Sequence, residues 1–156
     1  MKHEEYAARL EPLRARLYKT ALLYLNSESA ALDAVDEAVY KGLKACWKLR
    51  QPEYFDTWLT RILINVCCDE LRRRKRFVPL EDLPEESAED YDGLPLREAL
   101  NKLPQPLREV VILRYFTGYT LEETAAALDI PRGTAATRQR RALQLLRLEL
   151  GEEVTE

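Results

Sequence analysis

Residues 77–95, FVPLEDLPEESAEDYDGLP, contain seven acidic residues, three prolines and no lysine or arginine. A stretch with that much like charge and proline cannot bury enough apolar surface to offset its own ordering. It constrains the fold most, because it divides the 156-residue chain into two blocks of helical periodicity. At ~3.3–3.6 Å per residue the segment reaches roughly 60 Å when extended, more than the about 34–36 Å of one turn of B-DNA. The expectation is an all-α chain: a helical domain over 1–76, an acidic flexible linker over 77–95 and a second helical domain over 96–156.

The division also reorganises the charge. The whole chain carries net charge −3. Residues 1–76 hold 15 Lys/Arg against 11 Asp/Glu, and residues 97–156 hold nine of each. The excess acid therefore sits in one segment, and both flanking blocks are free to present local basic faces. Strong binding to duplex DNA by the chain alone is not expected, because such affinity is mostly electrostatic.

Other classes are excluded by what the chain lacks. Cys46, Cys67 and Cys68 form no CxxC spacing and His3 is the lone histidine, which argues against a disulfide framework, a metal site or a histidine-based catalyst. There is no glycine-rich phosphate loop, and the carboxylates are scattered at helix-surface spacing. No catalytic residue and no cofactor or small-molecule substrate is expected. No apolar run approaches the ~20 residues of a membrane span, and the charged N-terminus is unlike a signal peptide, so the expected location is cytoplasmic.

In the first block, residues 3–25 have helical spacing with a start marked by Pro12. Asn26, Ser27 and Ser29 form a polar break with capping chemistry. A second helix is expected from about Glu28 to Lys48, with Ala31, Val35, Ala38, Val39, Leu43 and Cys46/Trp47 able to line one face. Asp33, Asp36, Glu37 and Lys44 lie largely off that face, as either a solvated surface or a docking surface. After the Arg50-Gln51-Pro52 turn comes the helix EYFDTWLTRILINVCCDELRRRKR, Glu53 to Arg76. Trp58, Leu59, Ile62, Leu63, Val66, Cys67 and Leu71 make its apolar stripe, which gives way to Arg72, Arg73, Arg74, Lys75 and Arg76. Tyr54, Phe55 and Trp58 at one end, with Arg61 and Asn65 off the stripe, suit unstacked bases and phosphates. Phe55 and Trp58 serve equally well as core anchors.

In the second block, REALNKL stops at Pro104, and a helix starting near Pro106 runs to the Thr117-Gly118-Tyr119 turn. Thr120 and Glu123 then form a capping box, LEETAAALD is a short helix, and Asp129-Ile130-Pro131 turns the chain. The last helix is arginine-rich early (Arg132, Arg138, Arg140, Arg141) and leucine-rich late. A short helix carrying the small Ala125, a turn and a helix opening with Gly133, Thr134 and Thr137 make a helix-turn-helix.

These residues in this order resemble the extracytoplasmic-function (ECF) sigma factors of bacterial RNA polymerase. FDTWLTRILINVCCDELRRRKR is similar to the family's region 2.3–2.4 helix, at Phe55, Thr57, Trp58, Arg61, Asn65, Asp69 and Arg72. AALDAVDEAVYKGLKACWKL resembles region 2.2, at Ala31, Asp33, Glu37 and Trp47. LPQPLREVVILRYFTGYTLEETAAALDIPRGTAATRQRRAL resembles region 4, among others at Arg114, Glu123, Ala125, Gly133, Thr134, Arg138 and Arg141. The lack of a region 3 or region 1.1 counterpart fits the minimal ECF plan. Three positions depart from the family pattern: Asp36 stands where glutamine is common, Asp129 where the turn commonly has glycine, and Ala136 where a lysine would approach phosphate. The last implies lower affinity for the upstream promoter element.

The resemblance implies a promoter-specificity subunit that is not itself an enzyme. Asp33, Asp36, Glu37 and Lys44 would dock on the β′ clamp helices of the polymerase core, and the β flap is a second expected contact. Tyr54, Phe55, Trp58, Arg61, Asn65 and Arg72, Arg73, Arg74, Lys75 and Arg76 would take up the −10 DNA. Arg132, Gly133, Thr134, Thr137, Arg138, Arg140 and Arg141 would read the −35 DNA. The acidic linker would thread the RNA channel, and a membrane-linked anti-sigma factor would hold the protein inactive. The alternatives are a stand-alone helix-turn-helix regulator of duplex DNA, a nuclease, for which no metal cluster or nucleophile–base pair is credible, and an interaction protein that binds polymerase without melting DNA.

Overall fold

The structure is a computed structural model that describes residues 1–77 and 94–150. The described residues are α-helical and fall into two compact units, Met1–Ala88 and Glu89–Glu156. The linker expected over 77–95 lies, apart from its ends, outside the described residues.

In the first unit, α1 (His3–Leu10) passes through a 3-10 turn at Glu11–Leu13 into α2 (Arg14–Leu25). Pro12 lies in that turn, where its missing N–H costs nothing. Asn26 ends α2 in the left-handed conformation, φ 56°, and Ser27 caps α3 (Glu28–Ala45) by accepting from Ala30 N at 3.2 Å. Two 3-10 turns, Cys46–Lys48 and Pro52–Tyr54, lead into α4 (Phe55–Phe77).

Helices α2, α3 and α4 pack mutually. The face α3 turns inward is built from small residues, Ala31, Ala34, Ala38 and Gly42, which lets its backbone come close. Gly42 has no room for a side chain. A Cβ there would sit 2.5 Å from Tyr6 Oη and 2.8 Å from Leu59 Cδ1. Tyr6 is buried, donates to Val39 O at 2.7 Å and packs edge-on against Phe55 with ring centroids 5.7 Å apart. Burial pushes the Tyr6 hydroxyl up to about 12.

Two packing expectations are corrected. The buried face of α4 is Phe55, Leu59, Thr60, Leu63, Ile64, Val66 and Cys67, while Trp58, Ile62 and Leu71 are half-buried at its edge. Because α4 contacts both α2 and α3, its buried arc is wide. An apolar criterion passes over Thr60, and the continuous run Ile62-Leu63-Ile64 leaves the phase undetermined. On α3, Cys46 is buried but Trp47 is 69% exposed. The helix ends at Ala45, and the following 3-10 turn breaks the 3.6-residue phase that had placed both on one face.

In the second unit, α5 (Leu94–Lys102), α6 (Gln105–Val111) and α7 (Leu121–Leu128) all pack on α8 (Arg132–Leu150). Pro95 falls inside the first turn of α5 rather than ending the linker. Helix α6 continues into a π-helical turn, Ile112–Thr117, which buries Ile112, Leu113 and Thr117 and ends at Gly118, φ 88°. Among the described residues no helix is long and apolar enough to cross a membrane, and no group of three or more His, Cys, Asp or Glu could hold a metal ion.

Candidate nucleic-acid and polymerase interface

Opposite the buried face of α4 lies a second stripe, Trp58, Arg61, Asn65, Cys68 and Arg72. The spacing of 3, 4, 3 and 4 keeps the five on one side of the helix. Arg61, Asn65 and Arg72 are exposed, and Trp58 and Cys68 half-buried. Tyr54 projects from the preceding turn, 55% exposed. Phe55 is only 1% exposed, so of the two roles open to it the structure gives it the core. Trp58 stands beside Phe55, centroids 6.1 Å apart, with part of its ring on the surface.

The basic end of α4 is less free than its composition suggests. Arg72 hydrogen-bonds Asp69, and Arg73 forks onto both Glu70 oxygens at 2.9 Å. Arg74 bonds Glu70 Oε2 at 3.3 Å and reaches the Leu25 carbonyl at 2.9 Å, tying α4 to the last turn of α2. Its side chain is 17% exposed, so Arg74 is largely a structural cation. Lys75 is exposed, and the Arg76 side chain lies outside the described residues.

On α3, Asp33, Asp36, Glu37 and Lys44 are all exposed and share one stripe with Tyr40. The Lys44 ammonium lies 5.2 Å from the Tyr40 ring centroid, and Glu37 pairs with Lys41 at 2.9 Å. Asp33 and Glu37 also line a groove of about 450 Å³ together with Asp69, Glu70, Arg73 and Arg74 of α4. Leu32, Tyr40 and Trp47 are exposed on this helix and its terminal turn, and sequence reasoning missed them as surface residues. Apolar residues between charged ones were the available signal, but helical spacing also lets them point inward.

The helix-turn-helix is built as its residues dictate. Thr120 Oγ1 accepts from Glu123 N at 3.1 Å, and Thr120 N donates to Glu123 Oε1 at 2.8 Å, closing the capping box. Asp129 takes the left-handed turn position, φ 58°, and Ile130 N bonds back to Ala125 O at 3.0 Å. Helix α8 buries Ala135, Ala142 and Leu146 and exposes Gly133, Thr137, Arg140 and Arg141 on the opposite side. Thr134 and Arg138 are half-buried at the edge between them. Arg132, exposed at the start of α8, pairs with Glu122 of α7 at 2.7 Å, and this contact holds the Glu122 carboxyl below the usual carboxylate range.

Arg114 is a residue that sequence reasoning did not place in the site. From the π-helical turn its Nε donates to Gln139 Oε1 of α8 at 3.0 Å, its Nη1 donates to Tyr119 O at 3.0 Å, and its guanidinium lies 5.1 Å from the Tyr115 ring centroid. It fixes α8 against the chain that enters the helix-turn-helix. No local pattern announces this contact, because its partner stands 25 residues away.

Comparison with known proteins matches each unit. Sigma-70 region 2 matches residues 10–77, and sigma-70 region 4 matches residues 99–148. The chain is 33% identical over 141 residues to RNA polymerase sigma factor SigV of Bacillus subtilis, covering 87% of this chain and 85% of that protein. It is 30% identical over 141 residues to ECF RNA polymerase sigma factor SigM of Mycobacterium tuberculosis, covering 87% and 72%. In fold it is similar to the sigma factor RpoE of Bartonella quintana, solved with the anti-sigma factor NepR: TM-score 0.82, 24% identity, 97% of this chain and 99% of that one. On its two matched regions and these relatives, the chain belongs to the ECF sigma factors of the sigma-70 family, promoter-specificity subunits of bacterial RNA polymerase.

Proposed function

We propose that the two units divide promoter recognition between them. The first docks on the polymerase core through the outer face of α3, where Asp33, Asp36, Glu37 and Lys44 meet the β′ clamp helices. It takes up the melted −10 strand along α4. The second reads the −35 major groove with α8 and meets the β flap. The observation that carries this reading is the outer stripe of α4. An aromatic edge, an arginine, an amide and a further arginine lie in line on a helix whose other side is fully anchored in a core. That arrangement suits bases taken out of the stack, at a cost of a few kcal/mol per base that stacking and hydrogen bonds offset. A duplex-only regulator has no use for it.

Within this reading Tyr54 and Trp58 supply stacking surface, Arg61 and Asn65 contact the strand, and Arg72, Arg73, Lys75 and Arg76 meet phosphates. Arg74 contributes mainly by holding α4 in place. On α8, Gly133, Thr137, Arg140 and Arg141 face the groove, flanked by Arg132, Thr134 and Arg138. Solved neighbours of this fold include the sigma factor RpoE bound to the anti-sigma factor NepR, and CnrH bound to the cytosolic domain of CnrY (TM-score 0.72, 22% identity, 94% of this chain and 87% of that one). By that analogy a membrane-linked anti-sigma factor covers the polymerase and DNA faces until a signal releases them. The protein acts in the cytoplasm without catalysing a reaction itself.

Run-off transcription with purified core polymerase tests the reading. Promoter-specific transcripts that depend on this chain are the expected result. Tight promoter-fragment binding without polymerase, and no transcript with it, would favour the stand-alone regulator instead.

A further inference from the structure

We propose that Glu122 is a positioning residue for base reading: it holds the Arg132 guanidinium at the entrance of α8 so that Arg132 selects guanine at one position of the upstream element. This rests on the reading of α8 as the −35 helix.

The Arg132–Glu122 pair contributes little to stability as an ion pair. Both side chains are largely exposed, 62% and 66%, so the pair buries no core. The Thr120–Glu123 capping box closes the start of α7 without Glu122, whose carboxylate adds a bond to its own backbone N–H and a first-turn negative charge. A cation at the first position of α8 also opposes the helix dipole, so Arg132 is not there to stabilise its own helix.

What the pair does provide is geometry at the helix end that enters the groove. The two partners come from the N-terminal turns of the two helices of the motif, ten residues apart in the chain. Glu122 Oε2 accepts from Arg132 Nε. Both terminal NH2 groups are left as a planar fork, the arrangement that matches guanine O6 and N7 end-on. An arginine without that tether can swing to the nearest phosphate, where it adds affinity for every sequence and discriminates none. The carboxylate has an opposite effect on bulk affinity. Ionised at neutral pH, and held further below the usual carboxylate range chiefly by Arg132, it places negative charge beside the DNA backbone. The two consequences of removing it therefore have opposite signs: weaker discrimination and stronger sequence-independent binding.

The test uses holoenzyme assembled from the full chain and core polymerase, and a duplex pool randomised across the promoter region. Bound molecules are sequenced for wild type, E122Q, R132A and the double variant. Wild type should show a guanine preference that R132A erases. E122Q should reduce that preference by about fivefold, the lower end of what one bidentate arginine–guanine pair supplies, while total DNA recovered rises. Adding E122Q to R132A should change no preference. If E122Q raises binding to all sequences alike and leaves the preference intact, Glu122 is only a surface acid. If R132A leaves every preference intact while R140A or R141A erases one, the −35 reading stands and this proposal falls. If wild-type holoenzyme enriches no upstream sequence, the reading itself is overturned and the proposal with it.

Discussion

Helices α4 and α8 are the two longest of the described residues, and both carry arginine runs, yet they hold their charge in opposite ways. On α4, Arg72 and Arg73 are each bonded to an acid one turn back, and Arg74 is rooted in Glu70 and the Leu25 carbonyl. On α8, Arg140 and Arg141 stand exposed without an ion pair among the described residues, and Arg132 pairs across the motif with α7. Charge already held by acids gives up part of its pull on phosphate, which in the proposed reading leaves the outer stripe with Trp58 and Asn65 the larger share of the work of α4. In the same reading the exposed Arg140 and Arg141 of α8 are left to meet a duplex. The difference suits a single strand, whose bases are reachable, against a double helix, whose phosphates are met first.

The largest expected effect separates core from surface at the start of α4. Phe55→Ala should cost about 3–5 kcal/mol, as truncation of a buried aromatic does, and should unfold the first unit well before the wild type in a thermal melt. Tyr54→Ala should leave the melting temperature in place and slow open-complex formation. Equal destabilisation by both would erase the distinction.

Next in size is the double substitution Arg61→Ala with Asn65→Ala. Loss of hydrogen bonds to charged groups is worth about 1.5–3 kcal/mol, so open-complex formation should fall by roughly tenfold or more, while affinity for core polymerase stays unchanged. Parallel loss of both would point to misfolding and break the assignment of the outer stripe.

A smaller effect distinguishes adjacent arginines. Arg74→Ala removes a partly buried tie to α2 and should lower stability by about 1–3 kcal/mol. Arg73→Ala, an exposed partner of Glu70, should stay within about 0.5 kcal/mol. Denaturant titration of the two variants decides whether Arg74 is the structural cation.

On α8, Arg140→Ala or Arg141→Ala should weaken promoter binding by holoenzyme and reduce the salt slope by about 1 each if they meet phosphate. Arg138→Ala, at the edge of the exposed face, should alter discrimination among −35 variants, and an unchanged preference would remove it from the reading set.

The smallest effect appears only in alkali. The Tyr6 hydroxyl is raised from 10.0 to about 12 by burial, and the Cys67 thiol is also pushed up by burial. Both are neutral in the folded core, so above their ordinary values the unfolded chain binds fewer protons than the folded one. Stability is therefore full below about pH 8 and falls as pH rises through the ordinary thiol and phenol values toward 12. Tyr6→Phe should flatten the upper part of that fall, at a neutral-pH cost of about 1 kcal/mol for the bond to Val39 O.

Much of this architecture was legible in the residues. The two blocks, the Ser27 cap, the Thr120–Glu123 capping box and the turn at Asp129 depend on contacts within a few positions, which local chemistry specifies. Asp129 shows that the turn needs a left-handed residue and that aspartate can serve in place of glycine. Less legible was the phase of each helix. Trp47 moved from the expected core to the surface, and Ile64 and Thr60 joined the buried face of α4.

Sequence by itself determined which segments are helical and most of the caps and turns that separate them. It also carried the resemblance that the matched regions bear out. Tertiary structure decided which side of each helix is turned inward, and which charges are already held. Periodicity sets the angles between residues within a helix but not the rotation of that helix against its neighbours. The contacts that consume or aim a guanidinium, Arg74 to Leu25, Arg114 to Gln139 and Arg132 to Glu122, join residues 49, 25 and 10 positions apart and exist only once the helices have packed.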